Sequence, residues 1–223
     1  MRTSRYDVDP SAPLFFLSYS RASTRTVARD PDRRVMELFS DLSENVSELV
    51  GGLPGEDPGF VDHATVGGTR WSAELFRAAS TCQVFVPLIS ARLLSSTWCG
   101  MEWDLFARRR VVRISDGEVS DAGILPVLWT PTDDYASAPP VVKDIQLFTP
   151  VGLPDPQMAA TYRREGLLGL RMVGADSVYN AIVWRLAQAI VEIARRHHVE
   201  RLDPIPTSTD HLRNIFLAGR EVD

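Results

Sequence analysis

Short apolar runs alternate with longer amphipathic stretches along most of this 223-residue chain. The apolar runs predict four β-strands, at residues 14–20, 60–62, 82–89 and 123–129. Apolar residues at helical spacing predict five α-helices, at residues 32–50, 70–79, 98–110, 157–169 and 177–197. Residues 141–148 fit either a weak helix or the approach to a last strand. The alternation of the two element types is typical of an α/β domain with a mostly parallel sheet.

The ends of the chain are predicted to lie outside this domain. Residues 1–13 are polar and carry two prolines, which indicates a flexible lead-in to a domain over residues 14–199. Residues 200–223 are predicted to form a tail with a possible short helix at 210–219. Four apolar residues of that tail would dock either on the domain or on a partner: Leu212, Ile215, Phe216 and Leu217.

The stretch from residue 80 to residue 110 contains the most unusual position in the sequence. It predicts a buried strand, a polar turn and a helix whose start Ser96 or Thr97 can cap. Helical spacing places Glu102 in the middle of an apolar stripe with Trp98, Leu105, Phe106 and Arg109. An isolated buried carboxylate costs several kcal/mol or more, so Glu102 needs a partner or a proton. Two interpretations stay open: Glu102 pairs with Arg109 or a backbone amide, or it lines a cleft.

Parallel sheets bind ligands at the carboxyl ends of their strands. Loops after the first two strands and before the Glu102 helix would meet at that edge. They bring together the candidate site residues Tyr19, Arg21, Asp62, Gly67, Gly68, Trp98 and Glu102. Each of these residues also has a purely structural interpretation. Tyr19 would pack at the strand end, Arg21 would be a solvated charge, Asp62 would cap a turn, and the glycines would form a turn. Trp98, and Trp71 in the predicted helix at residues 70–79, would pack in the core.

Composition narrows the classes of function. A net charge of −5 argues against non-specific binding to nucleic acid or to an anionic membrane, and no run approaches the roughly 20 apolar residues of a membrane span. Only two cysteines are present, which fits a reducing cytoplasm, and no secretory signal precedes the first strand. Cys99 is interpreted as a small helix residue and not a nucleophile. The four histidines have no metal-ligand spacing, so no metal site is predicted.

Three sequence motifs, in order, resemble the boxes of Toll/interleukin-1 receptor (TIR) domains. Residues 16–21, Phe-Leu-Ser-Tyr-Ser-Arg, resemble the first box, and residues 60–62 with Gly67, Gly68 and Trp71 are similar to the second strand and its loop. Residues 86–102 resemble the strand, turn and catalytic-glutamate helix of bacterial and plant TIR domains. Three further features look like the actinobacterial TIR-like FxsC family, found beside ribosomal peptide systems: Phe-Phe-Leu-Ser-Tyr at residues 15–19, the segment at residues 163–170 and the long helix that follows it.

The resemblance implies a three-layer, flavodoxin-like TIR fold with a mostly parallel five-stranded sheet flanked by helices. It also implies cleavage of the nicotinamide–ribose bond of NAD⁺, as substrate and not as a permanently bound cofactor, in defence or signalling. Glu102 would be the catalytic carboxylate, and seven residues would bind NAD⁺: Tyr19, Ser20, Arg21, Asp62, Gly68, Trp71 and Trp98. The active form would self-associate through TIR–TIR contacts.

Two other functions are alternatives to the enzyme. A non-catalytic TIR scaffold would recruit a protein partner, for example beside a peptide maturation system, through the Gly67-Gly68 loop, helix faces and the tail. A phospho-receiver has the same layered architecture, but its acidic pair after the first strand is replaced here by residues 18–21, Ser-Tyr-Ser-Arg.

Overall fold

The computed structural model describes residues 11–21, 32–51, 57–62, 72–131 and 138–217. Its strands are β1 (Phe15–Ser18), β2 (Gly59–Val61), β3 (Val84–Ile89), β4 (Val111–Arg113), β5 (Val127–Leu128) and β6 (His197–Val199). Its helices are α1 (Arg33–Val50), α2 (Ala73–Thr81), α3 (Ala91–Leu94), α4 (Thr97–Ala107), α5 (Pro140–Lys143), α6 (Pro156–Met172) and α7 (Asp176–Arg196). The four predicted strands and five predicted helices are thus present, and the α/β class is confirmed.

The central sheet has the strand order β2-β1-β3-β5, and all of its described pairs are parallel. Because parallel neighbours run the same way, β1, β2, β3 and β5 all end at one edge of the sheet. The central position of β3 explains its continuous apolar sequence, since all six of its residues are buried. This arrangement is compatible with a flavodoxin-like fold.

The sheet has four strands within the described residues, where five were expected. Residues 141–148, the candidate for a further strand, instead begin with α5, which has a proline at its first position. The segment then touches the sheet through one hydrogen bond, in which the Phe148 N–H donates to the Pro126 carbonyl at 2.8 Å. Prolines 139, 140 and 150 lack a backbone donor, so a longer ladder at this edge is disfavoured.

A second, two-stranded sheet pairs β4 with β6 in antiparallel register. The sequence predicts neither strand: residues 111–113 precede a polar excursion, and the last predicted helix extends to residue 197. That helix ends at Arg196, and the chain continues as β6, whose Val199 pairs with Val111. The pairing fixes the start of the C-terminal tail beside the end of α4.

Helices cover both faces of the central sheet, which gives three layers. Alternation along β1 directs Phe15 and Leu17 toward a core shared with α1, α6 and α7, and Phe16 toward a core shared with α2 and α4. Phe16 stacks on Phe85 of β3, and Phe85 stacks in turn on Phe106 of α4. This aromatic series seats α4 against the sheet.

The tail differs from its prediction. As far as the structure describes it, to residue 217, the expected helix at 210–219 is replaced by turns and irregular chain. Phe216 is nevertheless buried against the domain, whereas Leu217 is exposed. Within the described ranges, none of the helices is long and apolar enough to cross a membrane.

Candidate active site

Glu102 lies on α4 with its carboxyl group directed at the carboxyl end of β1. Ser96, one of the two caps that the sequence predicted, caps this helix by accepting a hydrogen bond from the Cys99 N–H at 3.2 Å. Glu102 is only 6 % exposed. The Ser18 hydroxyl donates to Glu102 Oε2 at 2.5 Å, a short hydrogen bond between residues 84 positions apart. The carboxyl is therefore buried at the sheet edge and held by a neutral hydroxyl.

Arg109, the alternative partner of Glu102, is engaged elsewhere. Its guanidinium donates to the backbone carbonyls of Ala79, Val199 and Glu200 at 3.0–3.4 Å, and it lies near the Cys82 thiol. Burial lowers the pKa of Arg109, and the carbonyls compensate part of the cost of burying its charge. Arg109 thus ties the end of α4 to β6 and leaves Glu102 without an ion pair to it.

Burial raises the pKa of Glu102 to about 8, because an ionised carboxylate loses its hydration in this position. The negative charge of Asp62 also raises this pKa. The Ser18 hydrogen bond and the positive charge of Arg21 lower it, but burial has the larger effect. At neutral pH the free site therefore holds mostly a neutral carboxylic acid. A cation placed beside it would favour the ionised form.

Arg21 and Asp62 form an ion pair at the same edge, after the ends of β1 and β2. Arg21 Nη2 lies 2.7 Å from Asp62 Oδ2 and also donates to the Asp62 backbone carbonyl at 2.9 Å. Both side chains are about one quarter to one third exposed. Arg92 of α3 donates to the Arg21 carbonyl at 3.4 Å, which connects the residues after β1 to the short helix after β3. These charges are close enough to Glu102 to change its pKa.

Other predicted site residues have separate surroundings. Tyr19 is half-buried, and burial together with the neighbouring Asp32 carboxylate, to which its hydroxyl is hydrogen-bonded, raises its pKa. Ser20 is half-buried beside it. Trp98, four residues before Glu102, is 46 % exposed and is therefore not a core residue. Gly67, Gly68 and Trp71 lie outside the described residues.

Cys99 lies beside the carboxyl but does not have the properties of a nucleophile. It is buried, and burial together with the Glu102 charge raises the pKa of its thiol, which favours the unreactive neutral form. No group of three or more His, Cys, Asp or Glu side chains within the described part of the chain is placed to hold a metal ion. The chemistry of this edge rests on Glu102, Ser18 and the Arg21–Asp62 pair.

Ser18 is the functional candidate that sequence reasoning missed. It lies within the first box, directly before the predicted site residues Tyr19, Ser20 and Arg21. The helical stripe predicted a buried Glu102 without naming what would meet it. Only the crossing of α4 over β1 brings the two side chains together.

Comparisons with protein-family models, with curated proteins and with solved structures found no match to this chain.

Proposed function

We propose that this chain is a TIR-like enzyme that cleaves the nicotinamide–ribose bond of NAD⁺, with Glu102 as its catalytic carboxylate. The observation that supports this most is the buried Glu102 carboxyl at the carboxyl ends of parallel strands, bonded to Ser18 and not neutralised by Arg109. A buried carboxyl with a strongly raised pKa is costly to the fold, and such groups concentrate at functional sites.

The proposed reaction needs little acid catalysis. Nicotinamide leaves with the electron pair of the bond to ribose C1′, and it leaves as a neutral molecule because the bound ring was cationic. A water oxygen then forms the new bond to C1′ and loses a proton, giving ADP-ribose; a cyclase would use a nucleophile within the substrate instead. The group that needs stabilisation is the oxocarbenium-like ribose, as in glycoside hydrolysis, and a carboxylate supplies it.

The charge state of Glu102 fits a cationic substrate. In the free site the carboxyl is mostly protonated at pH 7, because its pKa is about 8. Arrival of the pyridinium ring would favour the carboxylate, so binding would release a proton. A water-poor site then makes the carboxylate's attraction for developing positive charge stronger than it would be in solvent.

The charged residues near Glu102 suit the rest of the substrate. The Arg21 guanidinium has the fork geometry that binds phosphate oxygens in a bidentate manner, and its partial exposure leaves it within reach of a ligand. Asp62, its partner, would orient it or accept from ribose hydroxyls. Trp98 offers an exposed ring on the Glu102 stripe of α4 for stacking.

Release of free nicotinamide from NAD⁺ tests the proposal. Pure protein would be assayed over a range of protein concentrations, since the resemblance implies that a neighbouring copy completes the site. Glu102→Gln is expected to lower the rate by a factor of 10² or more. Glu118→Gln, which changes an exposed glutamate in a distant turn, serves as the matched control and should retain full activity. Equal release by wild type and Glu102→Gln would reject the assignment.

The tail gives less support to the scaffold alternative than its sequence predicts, because most of its apolar residues pack on the domain itself. Of the apolar tail residues offered to a partner, Phe216 is buried on the domain and Leu212 and Ile215 pack against the same core. A scaffold would remain the interpretation if no nicotinamide were released at any protein concentration.

A further inference from the structure

Residues 200–217, which we call the strap, lie across the outer side of α4. The strap leaves β6 and is attached near its start, where the Leu202 N–H donates to the Ser80 carbonyl at 3.1 Å. Near its end, the Phe216 ring packs edge-on against Trp103, with 5.7 Å between ring centroids. Both rings are nearly inaccessible to solvent. The strap is therefore part of the second core and not a loose appendage.

Asp104 of α4 joins the strap to the helix through a single carboxylate. Its Oδ2 accepts from the backbone N–H of Arg213 at 2.9 Å and from the Arg108 guanidinium at 2.5 Å. The same Arg108 nitrogen donates to the His211 carbonyl at 2.5 Å. A charged acceptor on a backbone N–H makes a stronger hydrogen bond than a neutral one. The last two turns of α4 are thereby fixed to the strap.

Gly100 shows how closely the strap approaches the helix. A Cβ placed on Gly100 would lie 2.0 Å from Asn214 Oδ1 and 2.9 Å from Asn214 Cγ, so the strap occupies the space of a side chain. Glycine in a helix interior is normally unfavourable relative to alanine. Asn214 also donates to the Thr97 hydroxyl at 3.4 Å. The contact with Asn214 explains why α4 carries a glycine in its middle.

Helical geometry separates the strap from the candidate site. Thr97, Gly100, Asp104 and Arg108 follow at three- and four-residue spacing and share one side of α4. Glu102 projects from the opposite side, toward Ser18. The strap and the sheet thus hold α4 between them.

We propose that the strap is a positioning element that presses α4 onto the sheet and so keeps the Glu102 carboxyl against Ser18. Its effect on turnover rests on the proposed NAD⁺ cleavage, whereas its effect on the position of Glu102 does not. Asp104 is a positioning residue in this scheme, and it acts on the site through the helix that it holds. Asn214 fills the space beside Gly100 and is the side chain that a larger residue there would displace.

Gly100→Ala tests the proposal, because the strap determines whether this substitution stabilises or destabilises α4. Without the strap contact, alanine would stabilise α4; with it, the new methyl group displaces Asn214 and loosens the helix. We expect hydrogen exchange at α4 amides to rise at least tenfold, with β1 and β3 unchanged. Gly100→Ala combined with Asn214→Gly should restore the protection by making room for the methyl group. Leu217→Ala, at the exposed neighbour of Phe216, is the control and should change nothing.

A second measurement reports on Glu102 itself. Carbon-13 NMR titration of the glutamate carboxyl groups, with Glu102→Gln to assign the signal, follows its pKa without any assay of turnover. In Gly100→Ala we expect that pKa to fall from about 8 toward the ordinary value of 4.5, as water reaches the carboxyl. The combined Gly100→Ala and Asn214→Gly variant should return it to the wild-type value.

Each result decides the matter. Unchanged or slower hydrogen exchange in α4 of the Gly100→Ala variant overturns the proposal. Faster exchange with an unchanged Glu102 pKa also overturns it, because the strap would then stabilise the helix without positioning the carboxyl. Faster exchange with a lowered pKa and restoration in the combined variant supports it. If wild-type protein then cleaves no NAD⁺, the positioning role stands and the enzymatic assignment falls.

Discussion

Ser18 at the end of β1 donates its hydroxyl hydrogen to the carboxyl group of Glu102 on α4, at a distance of 2.5 Å. This contact joins the first strand of the sheet to the helix after β3 and sets the direction in which the carboxyl points. It also lowers the pKa of Glu102, since the hydroxyl stabilises the ionised form, although burial outweighs this effect.

Ser18→Ala is expected to raise the pKa of Glu102 above about 8 and to reduce the fraction of active carboxylate at pH 7. We expect kcat/KM for NAD⁺ at pH 7 to fall about tenfold, in keeping with the loss of one hydrogen bond to a charged group. The activity should recover in part at higher pH. The pH–rate profile checks this, with Ser115→Ala at an exposed turn as control. An unshifted profile would contradict the role given to Ser18.

Glu102→Gln is expected to stabilise the protein, and more so as pH rises. The folded pKa of about 8 lies above the ordinary 4.5, so the folded state holds the proton that the unfolded state loses. Stability linked to that proton is complete below about pH 4.5 and is lost as pH rises to about 8. Glutamine has no such loss, and its advantage should reach a few kcal/mol above pH 8. Urea denaturation of wild type and Glu102→Gln at pH 5 and pH 8.5 measures the difference in their free energies of unfolding. The same difference at both pH values would count against a buried neutral Glu102.

Local patterns were sufficient to predict the four strands of the central sheet, the main helices and the burial of Glu102. The stripe from Trp98 to Arg109 is a property of one helix, and its apolar neighbours identified the carboxylate as unusual. The hydrogen-bond partner of Glu102 was not predictable in the same way, because Ser18 lies 84 residues away in the sequence. Periodicity within one helix carries no information about which strand that helix crosses. The same limit applies to Arg109: the stripe predicts it as a partner of Glu102, whereas its guanidinium binds the carbonyls of residues 79, 199 and 200.

The errors in the fold come from elements too short to show a period. Strands β4 and β6 have three residues each, and β6 continues the helical sequence of α7 without a break in polarity. A third difference is at Gly166, inside α6, where φ is +65°. The sequence predicts a helix that ends near residues 166–169, whereas the structure continues the helix to Met172 through a kink that brings the Leu168 N–H to the Trp129 carbonyl at 2.9 Å. That kink is required by tertiary contact and has no local signal beyond the glycine.

Asp62→Asn and Arg21→Gln are expected to move the pKa of Glu102 in opposite directions. The Asp62 charge raises that pKa and the Arg21 charge lowers it, so the first variant should lower the value and the second should raise it. Carbon-13 NMR of the carboxyl in protein without NAD⁺ separates this effect from any loss of substrate contacts. Shifts of the same sign in both variants would indicate that breaking the ion pair rearranges the loops and that the charges do not act directly.

Gly166→Ala is expected to be far more destabilising than Gly174→Ala, although both glycines have a positive φ. A Cβ on Gly174 meets nothing within 4 Å, so only the backbone penalty of about 1 kcal/mol applies. A Cβ on Gly166 would lie 2.6 Å from the Trp129 carbonyl oxygen, and relieving that clash moves α6 away from the end of β5, for a total of about 3 kcal/mol. Urea denaturation gives the free energy of unfolding of each variant. Since both variants carry the backbone penalty, the difference between them reports the clash of residue 166 with the Trp129 carbonyl. Equal losses would show that α6 does not approach Trp129 this closely and that this end of the sheet is not held by the kink.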